Sequence, residues 1–396
     1  VFVLSCLVCK SWLKRSSIQI RLPQPTSGIG IAALIWVLFT INFVYHFVPH
    51  LQQVPSFGQL ALLLGPFSFA CFLTFALRRQ IGRWQVLAFA FMQLLIFVKL
   101  FAVALLAPLL TYGIVAFLVV WRVKERFPRY LVLITIIAVF ISYNAAYSAR
   151  AFIWKGGEYS ELFFSLQGGE QAQVSSLSKA LIIGSFIVYD LTGLTVGFLD
   201  FQKDLVDQQK QNRDHKYALQ RMVQRIGHLA HLSVAINVTP KIIPYWQGSS
   251  YRPLLTSFIP RVLWPGKPTE KVGGVFARHY WQIYKDPALD PRAGSMSMNL
   301  PWMPELYVNF GVAGVIIGMS LFGVFLAMID KLLNSGDASD LEAVTGLVIL
   351  LPFVFPDSNF SVMMGSALPL MLFLWGYFKL GKWLCDRPWA QRRKNS

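Results

Sequence analysis

The 396-residue chain is 55% hydrophobic and only 14% charged, with a mean hydropathy of +0.51. A soluble domain carries about a quarter charged residues, so this balance excludes an ordinary soluble protein and predicts a polytopic, all-α membrane protein. The net charge of +17 falls largely in the loops between apolar runs, which makes it a topology signal rather than a mark of nucleic-acid binding.

The first apolar stretch, VFVLSCLVC, is too short to span a bilayer, so the chain is expected to begin inside a helix with upstream sequence missing. It has neither the basic n-region nor the small-residue cleavage site of a signal peptide. Cys6, Cys9, Cys71 and Cys385 lie in or beside apolar runs and form no disulfide framework or metal spacing. Further apolar runs occupy residues 28–48, 56–77, 84–98, 100–121, 130–147, 307–329, 341–356 and 360–382. Lys and Arg precede the first of these, separate the second from the third and the fourth from the fifth, and close the chain. The alternate loops PHLQQVPS and FPDSNFS carry none. The positive-inside rule then predicts a cytoplasmic C-terminus and places residues 148–306 outside, as one long loop within a single membrane domain over residues 1–396.

Within that loop, 179–199 is long enough to span, but a return crossing would need MVQRIGHLAHLSVAINV, with Arg225, His228 and His231 in it. A re-entrant or interfacial helix is the expectation, with Asp190 facing protein or water. Residues 216–238 have a helical period: Leu219, Met222, Val223, Ile226, Leu229 and Ala230 form one stripe, and Arg221, Arg225 and His228 another.

The candidate chemistry gathers in and around the loop, which holds 17 Lys and Arg against 12 Asp and Glu. Lys99 is read between two spans at their outer ends, where a charge either serves a function or snorkels to the headgroups. Arg150 follows the fifth span. Arg221, Arg225, Arg252, Arg261 and Lys267 can bind phosphate oxygens, the arginines bidentately. Pro260, Pro265 and Pro268 stiffen the segment carrying Arg261 and Lys267. Trp246, Tyr251 and Trp264 can stack on sugar faces or anchor at the interface. Glu305, after Pro304 at the expected outer start of a span, is partly desolvated there and suits general-base work, or favours the helix dipole. Asn309 lies one turn on and can orient it, and Gly311 and Gly314 are expected to allow close helix packing.

In this order RIGHLAHL, IPYWQGSSYRPLL, FIPRVLWPGKP and PELYVNFGVAGV resemble the oligosaccharide repeat-unit polymerases of the O-antigen polymerase (Wzy-type) family, over about residues 220–325. The resemblance implies a GT-C-like helical bundle that joins undecaprenyl-diphosphate-linked oligosaccharides on the outer face of the bacterial inner membrane. It implies neither a metal nor a nucleotide sugar, and a flippase and a chain-length regulator as partners. By the same resemblance Arg225, Arg261 and Lys267 match the family's cations and Glu305 its carboxylate. The chain departs from the family at Val98-Lys99-Leu100, where relatives often carry an arginine in a Gly/Ser-Arg-Gly turn. Lysine keeps the charge and loses the fork. A ligase moving a finished glycan to another acceptor needs the same chemistry. A lipid-linked oligosaccharide transporter would place charges within spans and show an inverted repeat, and the sequence has neither.

Overall fold

The computed structural model describes residues 2–13, 21–52, 54, 57–102, 106–135, 137, 229–257, 259, 264, 266–267, 272–280, 300–333, 338–353 and 359–386. Every regular element among them is helical, and the shorter helices include α3 (Pro49–Gln52), α7 (Leu229–Val238), α8 (Leu254–Ser257) and α9 (Val272–Tyr280). The expectations for 179–199 and for Arg150, Arg221, Arg225 and Arg261 lie outside the described residues. The described residues have the character of an all-helical membrane protein: among them Gly28–Phe47, Arg83–Phe101, Trp302–Lys331 and Met363–Cys385 are long and apolar enough to cross a bilayer.

The chain divides into two compact units, residues 68–222 and residues 1–67 with 223–396. In the first, α5 (Arg83–Ala102) and α6 (Leu106–Lys124) follow the end of α4 (Phe57–Leu77). Phe69 meets Phe89, Phe97 and Tyr112, and Phe72 stacks on Phe89 at 4.4 Å. Lys99 does not lie between two spans as the hydropathy breaks suggest. It sits inside the last turn of α5, where its charge complements the C-terminal end of the helix dipole. One cation in an apolar run does not break a helix, because lysine is a good helix former.

In the other unit, α2 (Gly28–Phe47) lies antiparallel to α12 (Phe360–Cys385). The Tyr377 hydroxyl donates to the Leu34 carbonyl at 2.8 Å, and Gly30 and Gly381 give room to Cys385 and Leu34 respectively. Ahead of α2, the Thr26 backbone N–H and hydroxyl both donate to Asp386 Oδ1, at 3.1 and 2.9 Å. Short α1 (Phe2–Leu13) packs on α10 (Trp302–Leu333), with Lys10 paired to Asp330 at 2.6 Å. That pair is about half exposed on each side and contributes at most about 1 kcal/mol.

Helix α10 is not the straight span its hydropathy implies. Gly311 has φ 67° and ψ −156°, a conformation open essentially to glycine alone, and it divides the helix into an arm, 302–310, and a long segment, 312–333. The arm folds back along the long segment. Leu306 touches the position of Gly318, Phe310 that of Gly314, and the Trp302 and Phe322 rings meet at 4.3 Å. In a straight helix twenty residues would be about 30 Å apart. Gly311 and Gly314 therefore serve this reversal rather than packing between separate helices. Glu305 lies on the returning arm, ahead of the break at Gly311.

The described part of the run 341–356 is shorter than a span. Helix α11 (Asp340–Leu350) has 11 residues and passes into a 3₁₀ turn, Leu351–Phe353, shorter than a bilayer requires. It opens on a capping box in which the Ser339 side chain and the Glu342 backbone, and the Glu342 side chain and the Ser339 backbone, bond reciprocally. Glu342 is buried, and its second oxygen accepts from the Leu22 N–H at 2.9 Å. Glu342→Ala leaves the buried Leu22 N–H without that acceptor and opens the box, so it is expected to lower stability by about 1–3 kcal/mol. Equilibrium unfolding in mixed micelles measures this, and a change below about 0.5 kcal/mol would refute the role.

Candidate functional site

The site is built on the returning arm of α10. Pro304 falls in its first turn, where a missing N–H leaves no hydrogen bond unmade. Glu305, Val308 and Asn309 share one face by their i, i+3, i+4 spacing, and all three have essentially no exposed surface. The break at Gly311 leaves the last carbonyls of the arm without intrahelical donors. The segment 246–248 supplies them. Trp246 N–H donates to the Val308 carbonyl at 2.9 Å and Gln247 N–H to the Asn309 carbonyl at 3.3 Å. Gly248 N–H donates to Asn309 Oδ1 at 2.8 Å. Gln247 and Gly248 both have positive φ, 48° and 81°, so the chain turns sharply here, and Gly248 has the Phe310 ring against it.

The turn leads into a 3₁₀ element, Ser249–Tyr251, whose middle residue points inward. Ser250 Oγ donates to Glu305 Oε1 at 2.8 Å and accepts from Asn309 Nδ2 at 2.8 Å. Asn309 Nδ2 also donates to the Glu305 backbone carbonyl at 2.7 Å. The other carboxylate oxygen, Oε2, accepts from Phe360 N–H at 2.8 Å. Phe360 opens α12, whose N-cap Asn359 makes no side-chain cap bond. The Glu305 carboxylate therefore takes the place of a capping group, in the region where the helix dipole favours an anion. Ser361 Oγ closes the cluster on the Ser250 carbonyl at 3.2 Å. Three segments distant in sequence are thus joined around one carboxylate. A buried carboxylate without partners would be strongly destabilising; here charge-assisted bonds, worth about 1.5–3 kcal/mol each, offset that cost.

Aromatic rings close the cluster. Tyr251 stacks on Phe310 at 6.2 Å and 11° and meets Phe360 edge-on at 6.3 Å. Its hydroxyl is buried and has no hydrogen-bond partner among the described residues. Burial, and after it the Glu305 charge, push the phenol well above its ordinary pKa. Arg252 follows at the surface, exposed.

The predicted site residues separate into groups. Glu305, Asn309 and Tyr251 come together, with Arg252 next in chain. Asn309 reaches the carboxylate through Ser250 rather than directly. The Trp246 backbone caps the arm, and its ring meets Tyr280 at 6.0 Å. Lys267 lies in its own loop, where its ammonium donates to the Ile259 carbonyl at 3.1 Å and its N–H to the Trp264 carbonyl. Trp264 is 39% exposed, and Lys99 belongs to the other unit. Sequence reasoning did not select Ser250, Gly248 or the Phe360 N–H. The first two stand in the small polar run QGSS, which marks a turn; a backbone N–H has no sequence signal. No group of three or more metal-ligating side chains occurs among the described residues.

Residues 199–335 match the model of a domain of unknown function, DUF8712. No curated protein and no solved structure matches the chain. The matched segment contains the turn 246–252 and the whole arm, while Phe360 and Ser361 lie beyond it.

Gly311→Ala tests the reversal. A Cβ would stand 2.9 Å from the Tyr245 hydroxyl, and the backbone conformation excludes it in any case. The variant is expected to lose about 1–3 kcal/mol, read as a lowered unfolding midpoint in detergent. A midpoint equal to that of the wild type would contradict the backbone geometry.

Proposed function

We propose that the chain is a membrane glycosyltransferase with a GT-C-like helical bundle, polymerising undecaprenyl-diphosphate-linked oligosaccharide repeat units on the outer face of the bacterial inner membrane. The observation that carries the reading is the joining of two of the resembling elements. IPYWQGSSYRPLL and PELYVNFGVAGV, far apart in the chain, meet through Trp246, Gln247, Gly248 and Ser250 on one side and Glu305, Val308 and Asn309 on the other. Residues that carry the resemblance are therefore also residues that build one polar cluster in a membrane protein. Broken helices with polar backbone groups mark binding sites in such proteins, because irregular backbone at that depth is tolerated only where protein or a cavity covers it.

In this reading a sugar hydroxyl of one lipid-linked unit attacks the anomeric carbon of the growing chain, and the undecaprenyl diphosphate departs. Glu305 takes the proton from the attacking hydroxyl. Arg225, Arg261, Arg252 and Lys267 stabilise the diphosphate charge as it develops. Glu305 has no exposed surface, so in this reading a substrate hydroxyl reaches it by displacing the Ser250 side chain from Oε1, while the Tyr251 ring stays against Phe310 and Phe360. That displacement leaves Oε1 to accept from the substrate.

Deletion of the gene in its host, followed by analysis of the surface glycan, tests the proposal. Single repeat units accumulating on the lipid carrier are the expected result. Arg225→Ala and Arg261→Ala in the restored gene should each strongly reduce polymer while the protein remains in the membrane. Full-length glycan retained on the carrier is the result a ligase would give, and an unchanged surface glycan would refute both.

A further inference from the structure

By sequence the Tyr251 ring can stack on a sugar face or anchor at the interface. The structure gives the ring another use and leaves the hydroxyl over. One face of the ring lies on Phe310 and an edge meets Phe360, so the aromatic surface is engaged by the two helices that hold Glu305. The ring contacts fix the direction of the phenol. Its oxygen is buried and unpartnered among the described residues, whereas the neighbouring polar groups of Ser250, Asn309, Ser361 and the Phe360 backbone are all bonded. A buried donor without an acceptor costs free energy, and a phenylalanine would fill the same space without that cost. A phenol kept under these conditions has a use for its oxygen.

We infer that the Tyr251 hydroxyl is the binding contact for a hydroxyl group of the acceptor glycan, donating to it and holding it beside the Glu305 carboxylate. The inference rests on the function proposed above and names the group that meets the substrate there. The geometry matches the need. Ser250, adjacent in the chain, bonds Oε1 of Glu305, and Phe360, against the Tyr251 ring, bonds Oε2. An incoming hydroxyl that takes the place of Ser250 on Oε1 donates its proton toward the carboxylate and presents its lone pairs to the phenol. Burial keeps the phenol protonated, and the Glu305 charge adds to this, so it acts as a donor throughout the neutral range. Tyr251 forms no covalent bond to the substrate and loses no proton in the step.

Lipid-linked repeat units extracted from the deletion strain provide the probe. Purified full-length wild type and Tyr251→Phe are compared for turnover against repeat-unit concentration and for thermal unfolding in detergent. The Phe variant is expected to unfold no earlier than wild type, since the oxygen it lacks has no partner in the protein. Its KM for the repeat unit should rise about tenfold, the effect of one lost hydrogen bond to a substrate hydroxyl, with kcat changed much less. Wild-type kinetics in the Phe variant would overturn the inference and leave the proposed function standing. An earlier unfolding of the Phe variant would also overturn it, by showing that the hydroxyl has a structural partner. Absence of repeat units in the deletion strain would remove the proposed function and this inference together.

Discussion

One buried carboxylate sets the arrangement of the described site. Glu305 has no solvent exposure and accepts a bond on each oxygen, from Ser250 Oγ and from the Phe360 N–H. An ionised group away from water is tolerated only when such bonds offset its desolvation. The donors must therefore be held in place, and each holds a segment with it. Ser250 fixes the 3₁₀ turn that leads to Arg252, and Phe360 fixes the first turn of α12. Asn309 locks the turn a second time, bonding Ser250 Oγ and accepting from Gly248 N–H.

The carboxylate can stand there because α10 doubles back. A straight helix from Trp302 to Leu333 would carry Glu305 away from the long segment. The reversal at Gly311 lays it alongside, with Trp302 against Phe322 and the Leu306 side chain over Gly318. Two apolar clusters hold the arm. Tyr307 and Val308 pack with Ala235, Phe276 and Tyr280, and Trp302 packs with Phe322, Phe353 and Met363. The backbone groups freed by the break are bonded by the segment 246–248. The site is thus a consequence of hydrogen-bond accounting in a setting with little water: each interruption of a helix creates donors or acceptors, and the neighbouring interruption supplies their partners.

Much of this was legible in the sequence in kind and not in geometry. The composition and the apolar runs gave the all-helical membrane class, and α2, α5 and α12 lie close to the runs that announced them. The turn 246–252 and the element around Glu305 stood out because polar, aromatic and proline residues interrupt apolar ones there. Hydropathy could not show that 302–333 reverses, because both arms are apolar and the information resides in one glycine's dihedral angles. It likewise read 341–356 as a span, since it registers apolar character and not where a helix ends. Lys99 misled in the opposite sense: one charge looked like a boundary, and a good helix former simply continued the helix. The capping box is carried by the pattern Ser339-Asp340-Leu341-Glu342. Ser250 carried no distinctive signal, because a serine in a turn is common and only the tertiary fold brings it to Glu305.

The central claim is that the Glu305 carboxylate and the Ser250 hydroxyl are bonded to one another and hold the turn on the arm. A double-mutant cycle measures that bond most directly. Glu305→Ala, Ser250→Ala and the double variant are unfolded at equilibrium in mixed micelles. A buried bond to a charged group predicts a coupling energy of about 1.5–3 kcal/mol between the two positions. Effects that add to within about 0.5 kcal/mol would contradict the account, since the two side chains would then contribute independently and the turn would be held by something else.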